Sequence, residues 1–502
     1  MDYLNFVLWL LLSSFAIHLF LSQLRQSKSR QRRLPPGPFP LPLIGNLLSI
    51  DNKNKFHRSL AALAKDYGPL MTIRLGYLNS IIISSSSIAK EVLQDKNVSF
   101  SNRHIGKVIQ AFDTHKYSIA WLPISSPLHC YLRKISNSHI FLTNRLNATQ
   151  HLRQKRIEEL VTYIGKKCQS GSLVNIREVA LDTNLNVMSS TLFSMNVVKY
   201  DSDDKCEIKR TIQLIMDVVN KFNLADFYPL MQSIDPQGIQ RRATVWAKKL
   251  LDNFDDIINR RLIAREQGIL EGSDVLDALL SITEDQNEEL DRSQIARLFV
   301  DLFFAGTETT STTIEWAMAE LVHNPPKMRK AQAELNRIVG KDNPVNESHI
   351  PNLTYLQLVI NETLRLHPPT PFLLPRTTSA DVELSGFTVP KNAQILVNVF
   401  AIGRDPSVWE NPDSFEPERF VGSDIGFKGR HFEFIPFGAG RRICPGIPLA
   451  SRTVPLIVGS LIHSFDWKLE NGAAPERMDM DDRCTTVLQK ARPLRCVPIT
   501  KA

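Results

Sequence analysis

Phe437-Gly438-Ala439-Gly440-Arg441-Arg442-Ile443-Cys444-Pro445-Gly446 decides the reading of this chain, because it satisfies the spacing FxxGxRxCxG. At average residue frequencies a five-point match of this kind arises by chance on the order of once in ten thousand chains of this length. Cys444 precedes Pro445, a residue favoured at the first turn of a helix, and a helical apolar run follows from Leu449. A sulfur at a helix amino end receives backbone N–H groups and the positive pole of the dipole, which predicts a favoured thiolate. Gly438, Gly440 and Gly446 let the backbone pass close to a flat ligand, Phe437 can shield the sulfur from water, and Arg442 can pair with a carboxylate on that ligand. A buried structural cysteine accounts for neither the glycines nor the arginine. A dinucleotide loop fails because its third glycine position is Ile443.

The second informative stretch lies upstream. Asp291 to Val322 is one helical run of about 32 residues, roughly 48 Å at 1.5 Å each, ended by Asn324-Pro325-Pro326. Its middle, Ala305-Gly306-Thr307-Glu308-Thr309-Thr310, is a poor choice for a helix centre. Threonine hydroxyls there can bond back to the carbonyl four residues earlier. Glu362-Thr363-Leu364-Arg365 gives ExxR on a helix before His367-Pro368-Pro369. The same spacing at Glu207/Arg210, Glu289/Arg292, Glu334/Arg337 and Glu416/Arg419 reads as ordinary helical pairing.

Taken together these segments resemble the cytochrome P450 family. The resemblance implies that Cys444 is the axial thiolate of haem b iron, donating electron density that favours O–O cleavage. It implies likewise that Thr309 hydrogen-bonds the bound dioxygen and that Glu308 helps relay protons; many relatives carry Asp at the acid position. By the same likeness Glu362, Arg365 and Arg419 form a buried structural triad, and Arg376, after Pro375, reaches a haem propionate, as do Arg133 and Arg442. Close plant relatives read Trp-Arg where this chain has His129-Cys130; His129 still offers an N–H, but it is smaller and titratable, so haem retention is expected to be weaker or pH-sensitive. A surface histidine with no role is the competing reading. The resemblance runs from the proline spacer to the carboxyl end. It is closest to plant microsomal members that hydroxylate geraniol at an allylic terminal carbon, through Asn223 to Leu230, Asp235-Pro236-Gln237-Gly238 and Ala401 to Asp405. The substrate walls are expected at Phe304, Ala305, Phe372, Leu373, Leu374 and Leu488, while Cys484-Thr485 stands where close relatives tend to read Phe-Gly. A geranyl chain on a phenol such as geranylhydroquinone, or a diterpene, is the alternative substrate. A haem-binding membrane protein without turnover is the alternative of another class.

Composition and charge set the frame. The chain has 502 residues, 43% hydrophobic and 22% charged, a globular composition. Its six cysteines (Cys130, Cys168, Cys206, Cys444, Cys484, Cys496) contain no CxxC pair, so neither a disulfide framework nor a zinc site is expected. The net charge of +8 is concentrated at the start, where Arg25, Lys28, Arg30, Arg32 and Arg33 follow a single acid, Asp2. The remainder is too mildly basic for a nucleic-acid partner. Tyr3 to Leu21 is 19 mostly apolar residues, enough at roughly 28 Å to cross a hydrocarbon core. Positive charge after that run predicts an uncleaved anchor over 1–24 with its basic end cytosolic. Residues 25–46 form a basic, proline-rich linker, stiff and extended through Leu34 to Pro42. Residues 47–502 are then expected to be one mainly α domain with small β-sheets, α+β in class, on the cytosolic side of the membrane, which the resemblance implies is that of the endoplasmic reticulum. Five Asn-x-Ser/Thr sequons (Asn97, Asn147, Asn346, Asn352, Asn361) are chance matches on that topology.

Within the body, Met71 to Leu75 and Ser80 to Ser84 predict a hairpin, Ser87 onward a helix, and Leu128 to Lys341 an almost wholly helical region broken at Asp235-Pro236-Gln237-Gly238. Short strands are expected between Asp381 and Val399. No nicotinamide-binding motif is present, and the resemblance implies that electrons are to come from NADPH through a membrane reductase, NADPH-cytochrome P450 reductase. Arg133, Lys134, Arg153, Lys155, Arg156, Lys428, Arg430 and Arg441 are its expected docking face.

Overall fold

In the computed structural model the described residues are 33–501, apart from 51–54, 112, 201–205, 270–273 and 285–289, with 5, 6, 9, 13 and 14 besides. Apart from those five residues, the expected anchor over 1–24 lies outside the described residues, as does the basic start of the linker. Among the described residues no helix is long and apolar enough to cross a membrane.

Helices of nine residues or more are numbered in chain order. They are α1 (Phe56–Tyr67), α2 (Pro127–Ile135), α3 (Gln150–Gln169), α4 (Ile176–Phe193), α5 (Glu207–Val219) and α6 (Ile239–Glu266), followed by α7 (Val275–Thr283), α8 (Arg292–His323), α9 (Pro325–Val339), α10 (Thr354–Leu366) and α11 (Ile447–Ser464). A five-stranded sheet combines β1 (Leu70–Leu75), β2 (Leu78–Ile83), β3 (Asn102–Arg103), β5 (Arg376–Thr377) and β8 (Gln394–Val397), in the order β1-β2-β8-β5-β3. Smaller sheets pair β6 (Val382–Leu384) with β7 (Phe387–Val389), β10 (Asp482–Cys484) with β11 (Leu488–Lys490), and β12 (Arg495–Thr500) with both β4 (Val174–Asn175) and β9 (Phe465–Leu469). The chain is therefore mostly helical with small sheets.

The predicted hairpin forms with a tighter turn than expected. Leu75 faces Leu78, leaving only Gly76 and Tyr77 between the strands, and Gly76 takes φ +57°. The expected break at Asp235 to Gly238 also forms: Gly238 adopts φ +62°, and the Asp235 carboxylate accepts the Gln240 and Arg241 amides at 3.2 and 3.1 Å to start α6. Residues 33–40 form neither helix nor strand, and they touch the sheet where the Thr72 amide donates to the Pro36 carbonyl at 2.7 Å.

α8 spans 32 residues and opens with a capping box, Asp291 accepting the Gln294 amide at 2.8 Å while the Gln294 side chain accepts the Asp291 amide at 3.1 Å. Two separate cores share this helix. Ile295 to Phe303 pack among α4 to α7, whereas Ile314 to Val322 pack among α3, α9, α10 and α11. The polar middle of α8 falls between them. That is why a sequence unsuited to a core survives there: the flanking turns supply the burial, and context overrides propensity.

Candidate active site

The cysteine loop is built on backbone constraints. The Cys444 amide donates to the Phe437 carbonyl at 3.0 Å and closes the loop, while the Phe437 ring packs on Phe427 with centroids 5.4 Å apart. Gly440 has φ +68°, and a Cβ there would stand 2.0 Å from the Leu93 carbonyl oxygen, so only glycine fits. Gly438 lies under Leu373, whose own backbone is left-handed at φ +53°. α11 begins at Ile447, with Gly446 as its cap and Pro448 in its first turn, so Pro445 stands just outside the helix rather than in it. The Gly446 and Ile447 amides and the Arg133 guanidinium all favour a thiolate at Cys444, but burial outweighs them and pushes the thiol upward. A cation at the sulfur would favour the thiolate, since a coordinating thiol is deprotonated outright.

Beside this loop lies a cluster of guanidinium groups without acids. Arg442 donates Nε to Ser101 O at 3.0 Å and its Nη atoms to the Ile119 and Leu122 carbonyls. Arg103 donates to Ala120 O at 3.0 Å and Leu374 O at 2.8 Å. Arg376 reaches only Phe100 O, at 3.4 Å, and its Nε is buried with no hydrogen-bond partner. Arg133 donates to Ile443 O at 2.6 Å. Arg103, Arg376 and Arg442 all sit below the usual arginine value, through burial first and a neighbouring guanidinium second, Arg133 in the case of Arg442; Arg376 and Arg442 fall to about 10. Among the described residues none of the three forms an ion pair with a carboxylate. Such a site fits a ligand bearing two carboxylates, as haem b does.

His129 belongs to this cluster. It is buried, which removes the reading as a surface histidine, and burial with Arg442, Arg133 and Arg103 pushes it down to about 4. The imidazole is thus neutral at neutral pH, and the expected pH sensitivity moves to the acid side. Arg103 went unnoticed in the sequence. A two-residue strand carries no periodic signal, and only its pairing opposite Arg376 reveals it.

The middle of α8 presents Ala305 as an exposed residue between buried Phe303 and buried Thr307. Thr309 lies one turn on and donates to the Ala305 carbonyl at 2.6 Å. Ser311 and Thr313 bond back in the same way, at 2.6 and 2.8 Å, as the threonine clustering predicts. Gly306 lets α4 pack closely, because a Cβ there would stand 2.8 Å from the Met188 sulfur and push that side chain aside. One turn earlier, Asp301 accepts the Ile119 amide at 2.9 Å, and burial pushes this carboxyl up to about 7. Ile119 thereby ties α8 to Arg442 and the cysteine loop. Glu308 is not on the Ala305–Thr309 face: its carboxylate meets Gln489 at 3.1 Å and Arg177 at 3.6 Å.

Of the expected substrate walls, Phe304, Leu373 and Leu374 are half-buried. Phe372 instead packs edge-on against Phe56 of α1, with centroids 5.2 Å apart. Leu488 is fully buried, its carbonyl accepting Thr312 Oγ1 and Trp316 Nε1 at 3.1 Å each, so it borders no open space. The triad forms as expected. Arg365 grips Glu362 with two bonds of 2.7 and 2.8 Å, and Arg419 adds a third at 2.9 Å. The expected docking face divides: Lys134, Lys155, Lys428, Arg430 and Arg441 are exposed, but Arg133 turns inward, Arg153 is locked to Glu347 at 2.5 Å and Arg156 to Glu159 at 2.9 Å.

The cytochrome P450 family profile matches residues 35–496. The chain belongs to the cytochrome P450 family. It is 48% identical over 500 residues to geraniol 8-hydroxylase of Catharanthus roseus, with both chains covered in full. It is 47% identical to drimenol monooxygenase of Persicaria hydropiper over 99% of this chain and 97% of that one. It is 44% identical to the geranylhydroquinone 3''-hydroxylase of Arnebia euchroma over 96% of each. The chain is a cytochrome P450 monooxygenase. Membership implies haem iron with thiolate ligation and an indirect supply of electrons from a reductase, and the arginine cluster and Cys444 suit that cofactor.

Proposed function

We propose that this cytochrome P450 hydroxylates an allylic or terminal carbon of a terpenoid or geranyl chain, using O2 and electrons passed from NADPH by NADPH-cytochrome P450 reductase. The overall change is RH + O2 + two electrons + two protons giving ROH + H2O. The observation that carries it is full-length similarity to geraniol 8-hydroxylase around a cysteine loop of unbroken spacing. When bound, haem b supplies the one-electron chemistry that activates dioxygen. Cys444 would hold its iron through the sulfur, and Arg103, Arg376, Arg442, Arg133 and His129 would hold its carboxylates. Ala305 leaves room at the middle of α8, and the Thr309 hydroxyl beside it passes a proton that Glu308 supplies. Phe304, Leu373 and Leu374 offer apolar surface to an alkyl chain and exclude water.

Geranylhydroquinone is the second substrate reading, favoured by the Arnebia euchroma relative and by Cys484-Thr485, at the end of β10 and the start of the turn after it, where close relatives tend to read Phe-Gly. We place the catalytic body on the cytosolic side of the endoplasmic reticulum membrane behind an anchor over residues 1–24, on the apolar run and the basic residues that follow it. The exposed Lys134, Lys155, Lys428, Arg430 and Arg441 are the side chains left to meet an acidic reductase. The test is incubation of the full chain with reductase, NADPH and geraniol, geranylhydroquinone or an abietane diterpene. An alcohol one oxygen heavier from a geranyl substrate is expected. A ligand-induced spectral change with no oxygenated product from any of them overturns the catalytic reading and favours a haem-binding protein without turnover.

A further inference from the structure

Successive residues of an α-helix are about 100° apart, so Glu308 cannot share the face of Thr309. It lies instead with Thr312 and Trp316 on the face that meets β11. Its two contacts there are unequal. The 3.6 Å separation from Arg177 is an ion pair without a hydrogen bond, whereas the Gln489 amide donates to Oε2 at 3.1 Å. Arg177 is also drawn toward Glu315, a fully buried carboxylate with one oxygen lacking any hydrogen-bond partner.

The orientation of the Gln489 amide is fixed by chemistry. Its Oε1 receives Nε and Nη2 of Arg483 at 3.3 and 3.1 Å, and a guanidinium only donates, so the NH2 must point at Glu308. The strand that carries it is anchored. The Leu488 carbonyl takes two bonds from α8, its amide donates to Pro369 O at 2.9 Å, and the Thr486 amide donates to Asn220 at the end of α5 at 2.8 Å. Gln489 therefore stays put, while Glu308 sits on a flexible stem beside a guanidinium that would close to roughly 2.8 Å in an unhindered charge-assisted pair.

We propose that Gln489 is a positioning residue that holds Glu308 out of a tight ion pair with Arg177, and thereby keeps its carboxyl free to carry protons toward Thr309. This rests on the reading of Glu308 as the proton relay. Removing the Gln489 donor lets Glu308 collapse onto Arg177, delivery slows, and reducing equivalents leave as peroxide instead of product.

The experiment compares the full-length holoenzyme with Gln489→Met, Glu308→Gln and Gln489→Met/Arg177→Gln, using reductase, NADPH and geraniol. Gln489→Met is expected to raise peroxide formed per NADPH several-fold and to enlarge the solvent deuterium isotope effect on product, with geraniol affinity by spectral titration within twofold. Removing Arg177 in the same chain should bring peroxide back toward the parent value, a rescue that a merely structural role cannot produce. In denaturant titrations Glu308→Gln and Gln489→Met should be non-additive, and additive effects overturn the contact. Unchanged peroxide in Gln489→Met beside a raised value in Glu308→Gln overturns the role of Gln489 and leaves the relay standing. An unchanged value in Glu308→Gln sinks the relay itself. Should Gln489→Met fail to give the thiolate spectrum, Arg483→Leu, which frees the amide to rotate, reads the same contact; it should raise peroxide more modestly, and no change there overturns the proposal.

Discussion

Arg103 and Arg376 stand opposite one another across β3 and β5, paired residue to residue, and the Arg442 guanidinium presses on both. Like charges directly opposed across a strand pair are destabilising, so the arrangement stores repulsion that an anion relieves. Arg103→Gln and Arg376→Gln should therefore act with opposite signs on two measurements. Each weakens haem retention by roughly ten- to a hundredfold, because a hydrogen bond to a charged group is worth about 1.5–3 kcal/mol. Each also raises the thermal midpoint of the haem-free chain. Haem-to-protein absorbance ratios after dilution and melting of the stripped protein check the two halves.

The triad is asymmetric. Glu362 and Arg365 are fully buried, and Arg365 also donates to the Gly403, Pro412 and Ser414 carbonyls, whereas Arg419 lies nearer the surface. Glu362→Ala leaves buried guanidinium charge unpaired and should cost about 3–5 kcal/mol. Arg419→Ala should cost clearly less, since Arg365 still neutralises the carboxylate. Denaturant midpoints rank the two.

Cys444→Ser removes the only sulfur in the loop while keeping its backbone geometry. The carbon monoxide complex should lose the thiolate absorption, and hydroxylation should fall below detection. Retention of the thiolate spectrum would sink the ligand assignment.

Thr309→Ala deletes the hydroxyl beside Ala305 and leaves the helix intact, since alanine is the better helix former. NADPH consumption should persist while peroxide rises at the expense of product, measured as the ratio of the two. An unchanged ratio counts against the hydroxyl as a proton donor.

His129, held neutral with its titration near 4, makes stability depend on pH in a defined direction. The unfolded histidine titrates near 6.5, so the unfolded chain binds the extra proton between those values and stability falls as pH drops from about 6.5 to 4. His129→Gln should flatten that fall without abolishing it, because His57, His104 and His367 are depressed by burial as well. Denaturant midpoints across that window provide the measure, and a slope identical to the parent's contradicts the burial argument.

Residues that must lie within a few positions of one another were legible in the one-dimensional chain. The cysteine loop, the ExxR pair and the 32-residue α8 with its proline stop all follow from local backbone chemistry, and the structure returns them with little change. What the linear order could not convey was which charges meet. Arg103 sits in a strand of two residues, Glu308 turns toward a glutamine 181 positions away, and His129 is buried among guanidinium groups drawn from distant segments. Such encounters depend on how long helices cross and which strand edges pair, and no local periodicity encodes them. Burial likewise opposes the pull of the helix end on Cys444, because desolvation is a property of everything packed around a group.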